Sequence, residues 1–175
     1  MKMDRGTYII VKEDMKFFPS EDQLIKFLKM KIDGRYSGFI SEINLYKHEP
    51  WDLPALSVVK FSEEWFFFTE NSRKYKTSDR SNRQTEKGYW HETSKEVPVV
   101  NTNDKSKVIG RKRFLVFYKG RASRKEKTNW VMQEYFVPEG EHETNLVLCR
   151  IKQKSVGSSR EDSNKGIVFD IECGL

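Results

Sequence analysis

The residues most capable of chemistry in this sequence are basic, and they are concentrated in one stretch. Residues 111–127, RKRFLVFYKGRASRKEK, contain eight Lys or Arg residues and one Glu, which gives a net charge of +7. The whole chain carries +6, so all other residues together sum to −1. Solvated surfaces normally mix both signs of charge, whereas a run of one sign indicates a surface that binds a polyanion such as nucleic acid.

A second and weaker basic segment precedes the first. Residues 70–96 hold seven Lys or Arg residues and five acidic residues, a net charge of +2, and include Lys74, Arg80 and Arg83. The forked guanidinium of an arginine suits bidentate contacts to guanine or phosphate. We therefore expect the two basic segments to act together on one polyanion.

The segment GYWHETS, residues 88–94, predicts a strand between these basic segments. Alternation places His91, Thr93 and Lys95 on one face of that strand and Trp90 and Glu92 on the other. A bulky residue such as Trp90 is expected to anchor the strand to its sheet rather than to read a base.

Other chemistries have weaker support in the sequence. The histidines and cysteines match no common zinc-ligand spacing, and HExxH, GxSxG and P-loop motifs are absent, so we predict no metal, no cofactor and no enzyme. A metal-dependent nuclease is the catalytic alternative, because Glu92 and Lys95 form an acidic-x-x-basic pair. The sequence does not identify the second carboxylate that a nuclease needs.

Length and composition predict one folded domain. A chain of 175 residues can bury a sizeable core, and 13% aromatic residues argue against disorder. Two cysteines without a CxxC motif suit a reducing compartment, and the sequence shows neither a signal-length nor a membrane-length apolar run. We expect a soluble intracellular protein.

Periodicity predicts helices first and strands afterwards. Ser20 and Gln23 form a capping box before a helical apolar face, and Gly34 is a plausible helix end. ISEINLYKHEP, residues 40–50, predicts a second helix that Ser41 caps. Strands are predicted at 64–69, 88–94, 97–100, 113–118, 129–137 and 145–151, which gives an α+β domain with an antiparallel sheet.

Two further segments have a distinctive composition. WFFF within 64–69 is expected to be a buried strand rather than a base-stacking platform. Residues 154–166, KSVGSSREDSNKG, predict a flexible tail, and IVFDIECGL, residues 167–175, is either a docking strand or an apolar chain end, with the second reading favoured.

Several motifs, in order, resemble those of plant NAC-domain transcription factors. EPWDLP (49–54) is identical to a family motif, and the others are similar: EWFFF (64–68), RKY with NR (73–83), GYWHETSKE (88–96), LVFYKGRASRKEKTNWVMQEY (115–135), LCRIKQK (148–154) and, more weakly, MKFFPSEDQLI (15–25). The resemblance implies a twisted antiparallel β-sheet flanked by a few helices, as in WRKY domains but without zinc. It also implies an N-terminal arm over 1–14 as a candidate dimer strand, a DNA-binding domain over 15–153 and a short flexible tail over 154–175.

The resemblance implies a nuclear, dimeric protein that binds double-stranded DNA sequence-specifically and regulates transcription. Strand 88–95 would enter the major groove while flanking cations hold phosphates. The implied or expected DNA-binding residues are Lys74, Arg80, Arg83, Trp90, His91, Thr93, Lys95, Arg121, Arg124, Lys125 and Lys127. The implied dimer interface contains Lys16, Ser20 and Gln23, with Lys16 and Gln23 in place of an Arg–Glu pair of the family.

The chain departs from the family pattern on the groove strand. His91, Glu92 and Ser94 replace a Lys, an Ala and a Gly, and Glu92 is expected to bring a negative charge close to DNA and weaken binding. The alternative function is therefore a degenerate NAC protein that acts mainly as a heterodimer partner or competitor without its own activation segment.

Overall fold

The structure is a computed structural model that describes residues 17–59, 62–71, 83–138 and 144–155. The predicted N-terminal arm, Lys16, Lys74, Arg80 and the tail beyond Ser155 lie outside these residues. The predicted domain boundaries therefore stay predictions.

A seven-stranded sheet forms the centre of the molecule, and the predicted α+β class is confirmed. The strands run in the spatial order β1-β2-β7-β6-β5-β3, and β4 also pairs with β5. All pairs are antiparallel except β1 with β2, so the sheet is mixed rather than wholly antiparallel. The strands are β1 Ser41–Glu42, β2 Glu64–Glu70, β3 Gly88–Glu92, β4 Val97–Val100, β5 Val108–Lys119, β6 Glu126–Phe136 and β7 Leu146–Gln153.

The first predicted helix is confirmed as α1, Glu21–Ile32. Its capping box is present, with the Ser20 backbone N–H donating to Gln23 Oε1 at 2.9 Å. Gly34 follows the helix with φ +70°, a left-handed conformation that glycine adopts without strain. The apolar face of α1 buries Leu24 and Leu28 against one face of the sheet.

The second predicted helix is wrong. Ser41 and Glu42 pair with Phe67 and Phe68 as β1, and a short 3-10 turn, Leu45–Lys47, follows. The buried N–H of Leu45 donates to the Thr69 hydroxyl at 3.2 Å, so contacts with β2 override the local helical pattern. The helix that forms here is the four-residue α2, Leu53–Leu56, with Pro54 in its first turn. Neither α1 nor α2 is long and apolar enough to cross a membrane.

Each face of the sheet has its own apolar core. The α1 face buries Phe66, Phe68, Tyr135 and Leu148, and the α2 face buries a cluster that includes Phe67, Trp90, Leu115, Phe117, Met132 and Ile151. The prediction that WFFF is a buried strand is confirmed. Trp90, only 3% exposed, anchors its strand as expected.

Two short strands share one side of the long strand β5. The β3 strand pairs with Leu115–Lys119 and β4 pairs with Val108–Lys112, so residues 93–96 bridge the gap between them. The strand predicted at 97–100 forms as β4, which pairs with β5 alone among the described strands, and β3 ends the sheet beside it. The segment predicted to read DNA therefore lies at an edge, where a partner can approach it.

The turn after β5 offers a test of the fold through two glycines. Gly34 and Gly120 both have positive φ, but a Cβ on Gly120 would lie 2.5 Å from the Arg124 carbonyl oxygen, whereas a Cβ on Gly34 meets nothing within 4 Å. Gly34→Ala should cost about 1–2 kcal/mol of unfolding free energy from backbone strain alone. Gly120→Ala should cost clearly more, and thermal unfolding of both variants measures the difference. Equal losses would contradict the tight turn.

Candidate nucleic-acid interface

The β5–β6 hairpin presents cations at one corner of the sheet. Gly120 has φ +83°, and its N–H donates to the Lys87 carbonyl at 2.7 Å, which ties the hairpin turn to the residue before β3. A 3-10 turn, Ala122–Arg124, follows and leads into β6. Four predicted DNA-binding residues are exposed on this turn and the start of β6: Arg121, Arg124, Lys125 and Lys127.

Tyr118 joins this basic turn to the groove strand. Its ring stacks on Tyr89 with centroids 5.6 Å apart, and the His91 ring meets it edge-on at 5.7 Å. The Lys125 ammonium lies 5.7 Å from the centroid of the same ring, within the range of a cation–π contact. His91 of β3 and Lys125 of the turn therefore lie on one face of the sheet.

The alternation predicted for the groove strand is confirmed. His91, Thr93 and Lys95 are exposed, whereas Trp90 is buried and Glu92 is partly buried. The N–H and hydroxyl of Thr93 both donate to the Phe114 carbonyl, at 2.9 and 3.2 Å. Thr93 is thereby held to β5 although β3 itself ends at Glu92.

A buried ion network lies on the opposite face of the same strands. The side chain of Glu134, at the centre of β6, is 0% exposed and lies 3.2 Å from Arg83 Nη2 and 3.4 Å from Arg113 Nε. The Tyr46 hydroxyl and the Asn71 amide also donate to its carboxylate, at 3.2 and 3.4 Å. A buried carboxylate needs such partners because desolvation otherwise penalises its charge.

Glu92 belongs to this network, which corrects the expectation that it presents a negative charge to DNA. Its Oε2 lies 2.9 Å from Arg83 Nη1 and 3.9 Å from Arg113 Nη1. Two guanidinium groups thus compensate two carboxylates on the face away from His91.

Among the described segments, no three His, Cys, Asp or Glu side chains form a group that could hold a metal ion.

Arg83 is bonded inside the sheet, which argues against the prediction that it contacts DNA. Its side chain is 10% exposed and both terminal nitrogens are engaged by Glu92 and Glu134. Burial opposes its charge, but the negative charges around it, Glu134 first, outweigh that penalty and raise the pKa of Arg83. Its carbonyl accepts the Trp90 N–H at 2.9 Å, so Arg83 supports the groove strand from behind.

The two basic ends of β5 differ, although the sequence makes them look alike. Lys112 contacts Glu21, Arg113 Nη2 lies 2.9 Å from Glu96, and Arg111 lies 4.0 Å from Glu96. By contrast, none of the four cations of the hairpin corner forms an ion pair with any residue that the structure describes. Among the described residues, the cations at 111–113 are thus paired with acids, whereas those at the hairpin end are not.

Glu49 of the EPWDLP motif fixes the entrance to the groove strand. Its carboxylate, in a residue 6% exposed, accepts hydrogen bonds from the Thr85 hydroxyl and the Lys87 backbone N–H, both at 2.8 Å. The Thr85 hydroxyl oxygen in turn accepts the Gly88 N–H at 3.1 Å. The start of β3 and the anchor of the hairpin turn at Lys87 are therefore set by one buried carboxylate.

Sequence reasoning missed Glu49, Tyr118 and Glu134 as functional residues. An acidic residue inside the apolar strand NWVMQEYFV is a signal that could have identified Glu134, because unpaired carboxylates do not occupy core strands. Of the predicted dimer residues, Ser20 and Gln23 bond to each other in the cap of α1. Their role in a dimer stays a prediction.

The fold and this corner define the class of protein: an α+β protein with one open sheet and a cationic hairpin beside its edge strand. Residues 12–137 match the family described as No apical meristem (NAM) protein. The chain is 40% identical to NAC domain-containing protein 53 of Arabidopsis thaliana over an alignment of 177 positions. That alignment covers 95% of this chain and 32% of that protein. It is 41% identical to NAC domain-containing protein 40 of Arabidopsis thaliana, covering 89% and 47%, and 37% identical to NAC domain-containing protein 22 of Oryza sativa subsp. japonica, covering 97% and 58%.

The chain therefore belongs to the NAM family of plant NAC-domain proteins, as its motifs predicted. It spans between about a third and three fifths of the length of these three relatives.

The buried network predicts a large loss of stability when its central charge is removed. Glu134→Gln should lower the unfolding free energy by about 3–5 kcal/mol, because the largely buried guanidinium groups of Arg83 and Arg113 lose the one counter-charge that is fully buried. Tyr46→Phe removes only one hydrogen bond to the same carboxylate and should cost about 1 kcal/mol. Urea unfolding followed by tryptophan fluorescence measures both, and a Glu134→Gln loss no larger than that of Tyr46→Phe would contradict the network.

Proposed function

We propose that this protein binds double-stranded DNA sequence-specifically and regulates transcription in the nucleus, as a dimer with itself or with related NAC proteins. The observation that carries the proposal is the corner at which Tyr118 joins His91 of the edge strand to Lys125 of the basic turn. Family membership supports the regulatory role and the nuclear location.

The edge strand supplies the base-reading part of this interface. The major groove of B-DNA is about 12 Å wide and presents a distinct donor and acceptor pattern for each base pair. His91, Thr93 and Lys95 project from one face as an imidazole, a hydroxyl and an ammonium. Trp90 and Glu92 point to the opposite face of the sheet, so they position this strand without reading a base.

The hairpin turn supplies the phosphate contacts. Arg121, Arg124, Lys125 and Lys127 are exposed, and the Gly120–Lys87 hydrogen bond holds their turn beside the start of β3. Each phosphate that a cation neutralises releases counterions, so affinity falls with salt at a slope of about −0.9 per contact. Lys74 and Arg80 extend this set as predictions from the family motif.

The alternative function is a NAC protein that binds DNA poorly and acts through heterodimers. It is favoured by Lys16 and Gln23, which replace a complementary charge pair, and by the Gln23 side-chain oxygen, which already accepts the Ser20 N–H of its own helix cap. Light scattering at micromolar concentration separates the two: a dimer supports the leading proposal, and a monomer that shifts a duplex only with a relative present supports the alternative.

A salt titration tests the phosphate contacts after a duplex has been chosen by selection from random sequences. Lys125→Ala with Lys127→Ala should weaken duplex binding and reduce the slope of log K against log salt by about 1.8. The matched control is Lys105→Ala with Lys107→Ala, because these exposed lysines precede the opposite end of β5. Fluorescence anisotropy gives both slopes, and equal slopes for the two double variants would refute the proposed corner.

Replacement of His91 tests the groove strand. His91→Lys adds a permanent positive charge to the exposed face of β3 and should strengthen duplex binding while making the salt slope steeper by up to about 0.9. The matched control is Asn103→Lys, because Asn103 is exposed in the turn before β5, at the end away from the hairpin. If His91→Lys leaves both affinity and base preference unchanged, His91 does not face the duplex.

A further inference from the structure

An open groove crosses the sheet on the face that carries His91. It has a volume of about 250 Å³, and Phe114, Val116 and Val131 form its apolar floor. Thr93 and Ser94 lie at the β3 end, and Lys152 and Lys154 lie at the β7 end. The α1 helix covers the neighbouring part of this face, over Tyr135 and Leu148, but it contributes no residue to the groove.

The polar groups of the groove are incompletely matched by the residues described around it. Arg150 is neutralised by Glu64, with both hydrogen bonds at 2.8 Å, whereas neither Lys152 nor Lys154 forms an ion pair with a described acid. The Ser94 hydroxyl is buried and has no hydrogen-bond partner among the described atoms. An apolar floor with positive charge at one end and an unpaired hydroxyl at the other suits an acidic, apolar peptide.

We propose that residues 167–172 of this same chain, IVFDIE, bind in this groove as an extended segment. Ile167, Phe169 and Ile171 recur at every second position and would form one apolar face on the floor. Asp170 and Glu172 fall on the other side of such an extended segment, where they would pair with Lys152 and Lys154. The apolar stretch TYIIV, residues 7–11, fits less well because it contains no acidic residue.

The path of the chain brings this segment to the groove. The Lys154 N–H donates to the Asn129 carbonyl at 2.9 Å, and the Asn129 side-chain amide donates to the Lys154 carbonyl at 2.8 Å, so the chain leaves the sheet at the lysine end. Twelve residues, 155–166, separate this anchor from Ile167 and can span up to about 40 Å. The groove needs only about 14 Å, three strand spacings from β7 to β3.

A tether of this length makes binding intramolecular. Short linkers give effective concentrations in the millimolar range, so even a weak contact is populated. Because Thr93 lines the groove and His91 adjoins it, the bound segment would compete with a duplex on the same face. This competition rests on the proposed DNA-binding function, whereas binding of the segment does not.

A nitroxide spin label on Cys173 of the full chain tests the proposal. Cys149 is 0% exposed and burial raises the pKa of its thiol, so labelling is directed to Cys173. In NMR spectra without DNA, the methyl signals of Val116 and Val131 should lose intensity, and those of Val58, which follows α2 on the other side of the sheet, should not. Full intensity at Val116 and Val131, or equal losses at all three residues, would overturn the proposal.

Two matched variants and one mixing experiment make the test specific. Phe169→Asp should restore the Val116 and Val131 signals, whereas Val168→Asp, on the other side of the segment, should leave them weakened. Equal behaviour of the two variants would overturn the proposed pattern.

A mixing experiment distinguishes binding within one chain from binding between chains. Spin-labelled chains that carry no isotope are mixed with isotope-labelled chains that carry no spin label. If the signals of the isotope-labelled chains weaken, the segment binds a second copy and the intramolecular proposal is wrong.

Addition of the selected duplex then tests competition separately. The Val116 and Val131 signals should regain intensity in proportion to the bound duplex. Persistent weakening with the duplex bound would refute competition, and a protein that binds no duplex would refute the proposed function while leaving the segment contact measurable.

Discussion

The buried carboxylate of Glu134 is the constraint on which the corner formed by the edge strand and the hairpin turn depends. It lies in the middle of β6 with no solvent exposure, and its charge is matched by arginines from two other segments. Arg113 brings β5 to it, and Arg83 brings the residues that precede β3. Because an unpaired buried charge costs several kcal/mol, these segments cannot move apart independently. The edge strand is therefore held at a fixed position relative to the hairpin, although β5 is the one described strand with which it pairs.

The described cations of β5 and of the hairpin turn fall into two groups with different roles. Those near Glu134 and α1 are paired with acids and maintain the sheet, while those of the hairpin turn remain uncompensated at the surface. The high charge at both ends of β5 thus has two explanations rather than one. The Arg111–Arg113 end is compensated by acids within the fold, and the 121–127 end is the part free to meet a polyanion. Glu92 fits the same division: it joins the inner group, so its negative charge does not face the His91 side.

Much of this fold could be predicted from local patterns, and the exceptions have physical reasons. Short apolar and aromatic runs identified β2, β3, β5, β6 and β7, and the capping box identified α1, because these signals lie within a few residues of the chain. The segment 40–50 was misassigned because its conformation is set by pairing with Phe67 and Phe68 and by the Thr69 hydroxyl, contacts that the segment itself does not reveal. At the site, composition identified the basic residues but not their partners. Whether Arg83 faces DNA or the sheet depends on Glu134, 51 residues away in sequence.

The most direct test of this account compares Arg83→Ala with Arg124→Ala in the full chain, measuring for each both the unfolding free energy and the salt slope of duplex binding. The account predicts that Arg83→Ala lowers stability by about 3 kcal/mol with an unchanged slope. It predicts that Arg124→Ala leaves stability within about 0.5 kcal/mol and reduces the slope by about 0.9. An Arg83→Ala variant of normal stability whose salt slope falls by about 0.9 would contradict it, because Arg83 would then hold a phosphate rather than Glu134.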